Sequence, residues 1–184
     1  MPNNKRYHTI MADPPWQADQ TRDRGAINYY NLMSVDQIKA LPVADLAEPD
    51  AHFWLWVTQA SLRDGYDVLE SWGFTPRSVL TWIKPRMGMG HFLRNAAEQV
   101  LFGTRGNAPI LFKSQPNWVF APLQDHSHKP EEQYAIIERC SPGPYLELFA
   151  RRRQPGWDVW GDQIESDITI PGYPVPRVKG QEAL

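Results

Sequence analysis

The stretch "YHTIMADPPW" (residues 7–16) decides how the rest of the chain is read. Its first six residues form a short, mostly apolar run of the kind that builds a buried strand, and two successive prolines, which cannot donate to a ladder, end it. By itself Asp13-Pro14-Pro15 is a rigid turn, and a purely structural role suits it. The indole of Trp16 and the position directly after a strand add a second reading. The fixed φ of Pro14 holds the Asp13 carboxylate beside a free Pro14 carbonyl. Two acceptors held together match an exocyclic amino group, whose two hydrogens each need a partner. An adjacent aromatic face suits a base that has left its stack.

Outward from this turn, the chain alternates strand and helix signals. Residues 17–31 are polar and aperiodic, a long loop. "SVDQIKAL" (34–41) begins with a Ser cap and stops at Pro42, a short helix. "AHFWLWVT" (51–58) predicts a second buried strand, "ASLRDGYDVLESWG" (60–73) a helix closed by Gly73, and "RSVLTWIK" (77–84) a third strand ended by Pro85. A glycine-bearing basic segment, "RMGMGHFLRN", precedes the strand "EQVLFGT" (98–104). Residues 105–130 are mostly loop, with a strand at "WVFA"; "PEEQYAIIERC" (130–140) is a helix with proline in its first turn. "YLELFA" (145–150) and "WDVWG" (157–161) complete the strands. Apolar strands alternating with helices predict a mostly parallel α/β sheet covered on both faces. Ligands of such sheets bind beyond the C-terminal strand ends. Those ends carry Asp13-Pro14, Thr58, Lys84-Pro85 and Phe149-Ala150-Arg151. One domain over residues 1–164 is expected, followed by a proline-rich, extended tail over 165–184.

Composition narrows the function classes. The 184 residues are 42% hydrophobic and 22% charged, as in an ordinary globular protein, and no apolar run approaches a membrane span. "MPNNKRYHT" lacks the apolar region of a signal peptide, so a cytoplasmic location is expected. The single Cys140 excludes an intramolecular disulfide and a thiolate zinc cage. Net charge is −2, which argues against a generic polyanion binder. Locally, however, Arg77, Lys84, Arg86, Arg94, Arg105 and Lys113 face a single acid, Glu98, and Arg151-Arg152-Arg153 forms a second basic cluster. These are either solvated loop charges or a local field for a polyanion. Of eight tryptophans, Trp54, Trp56, Trp72 and Trp82 fall in periodic segments and are expected in the core. Trp16, Trp118, Trp157 and Trp160 lie in loop-like contexts where an amphipathic ring can meet a ligand or partner. In "HSHKP", His126 and His128 lack a third ligand in sequence, so no metal site is expected.

The segments "MADPPW", "YYNLMSVDQIKALPV", "FWLWVT", "WGFTPRSVLTWIKP", "HFLRNAAEQVLFGTRG", "HSHKPEEQYAIIERCSPG" and "LELFARRRQPGWDVWGDQI" follow one another in that order. In this series the chain strongly resembles the adenine-N6 methyltransferase family that includes the 70-kDa catalytic subunit of the eukaryotic mRNA methyltransferase. The resemblance covers roughly residues 7–164, and its compactness is similar to that of bacterial and phage members. It implies a Rossmann-like class I methyltransferase fold with a seven-stranded, mostly parallel sheet. It also implies a permuted motif order, because the base-gripping motif precedes the cofactor strand, and S-adenosylmethionine as cofactor.

Carried over position by position, the resemblance makes Asp13, Pro14, Pro15 and Trp16 the catalytic motif, with the acid and following carbonyl on the adenine N6 and the aromatic ring against the base. Lys129 would meet the cofactor carboxylate. Glu147 would accept from ribose hydroxyls, although an acid in a strand can also be a salt-bridged structural residue, and Arg151 would be a second anchor. Alanine and arginine stand after this strand where the wider methyltransferase class has glycines. Asp162 and Gln163 would contact the adenosine end of the cofactor; the family often has Asn where Asp162 stands. Tyr30, Lys84, Arg86, His91, Arg94 and Asn95 would line the nucleic-acid face, or form a solvated rim. The resulting expectation is an adenine-N6 methyltransferase acting on nucleic acid, DNA before RNA, working alone or as a homo- or heterodimer. A non-catalytic nucleic-acid-binding subunit is the competing class.

Overall fold

The computed structural model describes residues 5–17, 32–88, 90, 92–124 and 128–173. Strands β1 (Tyr7–Ala12), β2 (Ala47–Val57), β3 (Thr75–Ile83), β4 (Ala97–Arg105), β5 (Trp118–Phe120), β6 (Tyr145–Leu148) and β7 (Trp157–Trp160) form one seven-stranded sheet in the order β5-β3-β4-β2-β1-β6-β7. Pairings of β1 with β2 and β6, of β6 with β7 and of β3 with β5 are parallel; β4 runs antiparallel to both β2 and β3. Together with the α/β organisation, this is the Rossmann-like arrangement expected of a class I methyltransferase.

The strands lie where the apolar runs place them because each run buries both faces. In β1, Ile10 and Ala12 face one core cluster while Met11 faces the other; in β2, Phe53, Leu55 and Val57 oppose Trp54 and Trp56. The first face is covered by α1 (Val35–Lys39) and α3 (Leu62–Ser71), and α4 (Glu132–Cys140) contributes Tyr134, Ile136 and Ile137 to the second. Ser34 caps α1 through a complete capping box with Gln37. A four-residue helix, α2 (Val43–Leu46), is too short to leave a period in the sequence.

Two expectations need correction. Trp157 and Trp160 are not at loop surfaces: both are buried in β7, Trp157 stacked on Tyr145 and Trp160 edge-on to Phe149. The segment itself reads as a strand, but its flanking glycines gave these two rings a loop-like context. The tail also starts later than residue 165. Ile168 and Ile170 are buried in the first core cluster, and Asp167 accepts from Val159 N–H and pairs with Arg153. Among the described residues, no helix is long and apolar enough to cross a membrane.

Candidate active site

The C-terminal ends of β1, β2, β3, β6 and β7 share one sheet edge, and the antiparallel β4 begins there. In register, Glu98 of β4 pairs with Trp82 of β3, and Gln99 pairs with Val57 of β2. Strand direction thus delivers a carboxylate from the start of β4 to the edge where the other strands end.

After β1 the chain turns at once. Trp16 N–H donates to Pro14 O (2.8 Å), and Met33 N–H donates to Pro15 O (2.9 Å), stitching the turn to residues 32–34. Pro14 therefore has one carbonyl lone pair already engaged, not a free carbonyl, and one left to offer. Trp16 has structural partners as well. Its Nε1 donates to Trp56 O (3.0 Å) and its ring packs on the first core cluster. Neither of the two pockets at this edge is lined by Trp16, which braces the turn.

Asp13 sits in a charge cluster. Its Oδ2 lies 3.1 Å from Lys129 Nζ and 3.4 Å from Arg151. Lys129 Nζ also lies 3.0 Å from Glu98 Oε2 and 5.1 Å over the Trp56 ring, while Glu98 Oε1 receives Lys84. The result is an alternating chain Arg151–Asp13–Lys129–Glu98–Lys84. Burial works to lower the Lys129 ammonium, but the Asp13 and Glu98 carboxylates outweigh it and hold its pKa above the ordinary lysine value. Burial likewise pushes Glu98 up, yet Lys129 and Lys84 bring its pKa below the usual carboxylate value. Lys129 therefore stays cationic, as a fixed positive charge at this edge.

Glu147 projects from the centre of β6 onto the α4 side, where Tyr134 of α4 donates to its Oε2 at 2.8 Å. Burial raises Glu147 to about 7, the Tyr134 hydrogen bond opposes this, and the nearby Asp13 charge adds to it. Burial and the Glu147 charge together push the Tyr134 phenol up. The turn after β6 uses no glycine: Phe149 adopts a left-handed conformation (φ 63°), and Ala150 N–H donates to Trp160 O (2.9 Å). Asp162 and Gln163 follow Gly161 in the turn after β7, on the same edge, half-buried and exposed respectively. They line neither pocket.

Two depressions meet at Lys129. Asp13, Lys129, Glu147 and Arg151, with Phe149 and Trp56, line one. Lys84, Arg86, Glu98 and Lys129, with Trp82 and Pro122–Gln124, line a larger cleft of about 790 Å³. His128 and Lys129 belong to both. Of the expected nucleic-acid contacts, Lys84 and Arg86 line the cleft. Arg94 and Asn95 are exposed on the adjoining loop, which is closed by Gly88 N–H donating to Asn95 O and Arg94 donating to Gly88 O (2.6 Å each). Tyr30, His91 and His126 lie outside the described residues. Glu98 is the site residue that the sequence reading missed. Its one signal was being the sole acid in a basic segment.

The first depression combines a buried carboxylate acceptor with two cations, a donor set suited to a ligand bearing both ribose hydroxyls and a carboxylate, as S-adenosylmethionine does.

Comparison with known proteins gives the family. A family model described as MT-A70 matches residues 7–163. The chain is 36% identical over 172 residues to the N(6)-adenosine-methyltransferase MT-A70-like protein of Drosophila melanogaster, covering 87% of this chain and 27% of that protein. It is 32% identical over 187 residues to the N(6)-adenosine-methyltransferase catalytic subunit METTL3 of Homo sapiens, covering 95% of this chain and 31% of the relative. It is 31% identical over 182 residues to the N(6)-adenine-specific methyltransferase METTL4 of Homo sapiens, covering 87% and 38%. The chain thus spans between a quarter and two-fifths of the length of these relatives.

Proposed function

The chain belongs to the MT-A70 family, and on that premise we propose that it is an S-adenosylmethionine-dependent adenine-N6 methyltransferase acting on nucleic acid. The observation that carries this reading is Asp13 in the depression with the donor set for the cofactor, paired with Lys129 where that depression meets an open basic cleft.

The bound cofactor supplies an electrophilic sulfonium methyl group. Glu147 accepts the ribose hydroxyls and Lys129 and Arg151 hold the carboxylate, with Asp162 and Gln163 towards the adenosine end. The adenine N6 lone pair is delocalised into the ring and is a poor nucleophile. Asp13 and the remaining lone pair of the Pro14 carbonyl accept its two hydrogens, favour a pyramidal nitrogen and aim its lone pair along the line of transfer. Orientation and electrostatics carry the reaction. The proton leaves to water after transfer, and Asp13 need not take it. Lys84 and Arg86 bind phosphates on the cleft side, joined by Tyr30, His91, Arg94 and Asn95.

DNA is proposed as the polymer, on the likeness to a relative named as adenine-specific. RNA is the second reading, favoured by the relatives named for N(6)-adenosine. A non-catalytic subunit fits less well, because Asp13, Lys129 and Glu147 are all present and brought together. The word "subunit" in one relative's name and the exposure of Met87, Phe92 and Leu93 beside the cleft support a partner chain, a second copy or a different protein. A cytoplasmic location is proposed with this activity.

The test incubates the protein with methyl-labelled cofactor and matched single-stranded DNA, duplex DNA and RNA, then locates the methyl group by mass spectrometry. Transfer to adenine N6 in DNA is expected. Transfer to RNA alone selects the second reading, and transfer to neither overturns the enzyme assignment.

A further inference from the structure

We propose that Glu98 is a positioning residue of the transfer reaction, a tether that keeps Lys129 at the junction of the two depressions while Asp13 exchanges its lysine contact for the adenine amine. The proposal rests on reading this site as an adenine-N6 methyltransferase.

The argument begins with a conflict. Asp13 Oδ2 meets both Lys129 (3.1 Å) and Arg151 (3.4 Å). A carboxylate so engaged is a weaker acceptor for a neutral amine. It must loosen at least one cation when the base arrives. Lys129 in turn is wanted by the cofactor carboxylate. An untethered lysine on a four-carbon stem could swing out of the site, or remain locked on Asp13.

Glu98 resolves the conflict by geometry. Its Oε2 holds Lys129 Nζ at 3.0 Å from the side away from β1, and its Oε1 is anchored by Lys84. The Trp56 ring underlies the same ammonium at 5.1 Å. Lys129 can give up Asp13 without losing a carboxylate partner or its place on the indole. The tether also ties together the two sides of the reaction: Lys84 stands in the nucleic-acid cleft, Lys129 in both depressions. Glu98 can do this only because β4 opposes its neighbours, so that its second residue reaches the edge where β1 and β3 end. Replacing the carboxylate by an amide removes the charge holding Lys129 away from Asp13. The lysine then stays on Asp13, and the base site is blocked by the enzyme's own cation.

The test uses the full chain carrying Glu98→Gln, Glu98→Asp or Asp13→Ala. With the accepted nucleic acid, Glu98→Gln is expected to lower kcat at least about tenfold while the Kd for S-adenosylhomocysteine stays within about threefold, a loss that spares cofactor binding. Glu98→Asp is expected to recover part of kcat. Unchanged kcat in Glu98→Gln overturns the proposal. So does a loss that Glu98→Asp does not relieve and that falls in parallel with cofactor affinity and Tm, the pattern of a purely structural residue. A second readout needs no turnover: the Lys129 Nζ resonance is expected to remain protected from exchange in Asp13→Ala, where Glu98 still holds it, and to lose that protection when Glu98→Gln is added to Asp13→Ala. The reverse pattern overturns the tether. Absence of transfer by the wild type, with the expected resonance pattern, would reject the enzyme reading and leave the tether standing.

Discussion

Tyr134 Oη donates to Glu147 Oε2 across 2.8 Å at the wall of the first depression, and burial raises that carboxyl from the ordinary 4.5 to about 7. Between those two values the folded protein retains a proton that the unfolded chain has lost. Stability contributed by this group therefore falls as pH rises through the window, by at most about 3 kcal/mol when the shift is complete. Glu147→Gln keeps an acceptor for Tyr134 and removes the buried charge. It is expected to raise Tm relative to wild type at pH 8, with little difference at pH 5, while weakening S-adenosylhomocysteine binding by about tenfold or more. Thermal melts at the two pH values check the sign. An equal shift at both would show that ionisation of Glu147 is not the cause.

Asp13 is expected to matter for chemistry more than for cofactor capture. Lys129 and Arg151 remain as cations for the cofactor when Asp13→Ala removes the base acceptor, and Glu98 still holds Lys129. A loss in kcat of about 10²–10³-fold or more is expected, the scale of removing a transition-state acceptor or donor. Calorimetry with S-adenosylhomocysteine should show a dissociation constant changed only a few-fold. Normal turnover by this variant would remove Asp13 from the base-gripping role.

Much of this fold was legible because its strands are short apolar runs punctuated by proline: Pro14 after β1 and Pro85 after β3 mark their ends in sequence. The β4 direction was not, since a run such as "EQVLFGT" has the same apolar content whichever way it pairs. That is why Glu98 escaped notice; its place in the site follows from strand polarity alone. Trp157 and Trp160 misled for a different reason, as glycines mark tight approach in β7 as readily as loops. The motif at 13–16 was legible as a turn with a fixed acid. Trp16's indole N–H and ring are taken up by Trp56 and the core, partners far away in sequence and invisible to it.

A buried polar chain at the opposite sheet edge predicts acid sensitivity. Trp54 Nε1 donates to Ser141 Oγ (3.0 Å), leaving the Ser141 hydroxyl to donate to His52 Nδ1 (2.8 Å) and His52 Nε2–H to donate to Ala108 O (3.3 Å). These partners assign a neutral imidazole. Burial lowers the His52 pKa from 6.5, outweighing the Ala108 hydrogen bond. The unfolded chain then binds a proton before the folded one does, so stability falls as pH drops below 6.5 towards the folded value. His52→Gln is expected to flatten the Tm–pH profile in that window. Ser141→Ala, which strands the buried Trp54 N–H, is expected to cost about 1–3 kcal/mol at neutral pH. Denaturant melts of the two variants at pH 5 and 7.5 separate these effects; an unaltered slope in His52→Gln would move the acid sensitivity to another group.

Gly161 locks the cofactor edge by close approach. A Cβ at this position would overlap the carbonyl oxygen of Ala150, the residue between left-handed Phe149 and the Asp13-binding Arg151. The ends of β6 and β7 would have to part, at about 1–3 kcal/mol, and Arg151 would move with them. Gly161→Ala is therefore expected to lower Tm and to weaken S-adenosylhomocysteine binding together. Gly156→Ala supplies the contrast. Gly156 has φ +82° and open space, with no neighbour within 4 Å of the point a methyl group would occupy, so alanine there meets only backbone strain of about 1–2 kcal/mol. It lies before β7, away from the edge that holds Asp13 and Arg151. A lower Tm with unchanged cofactor affinity is expected for Gly156→Ala. If both variants lose affinity equally, the contact between Gly161 and Ala150 does not set the cofactor edge, and general loosening of β7 does.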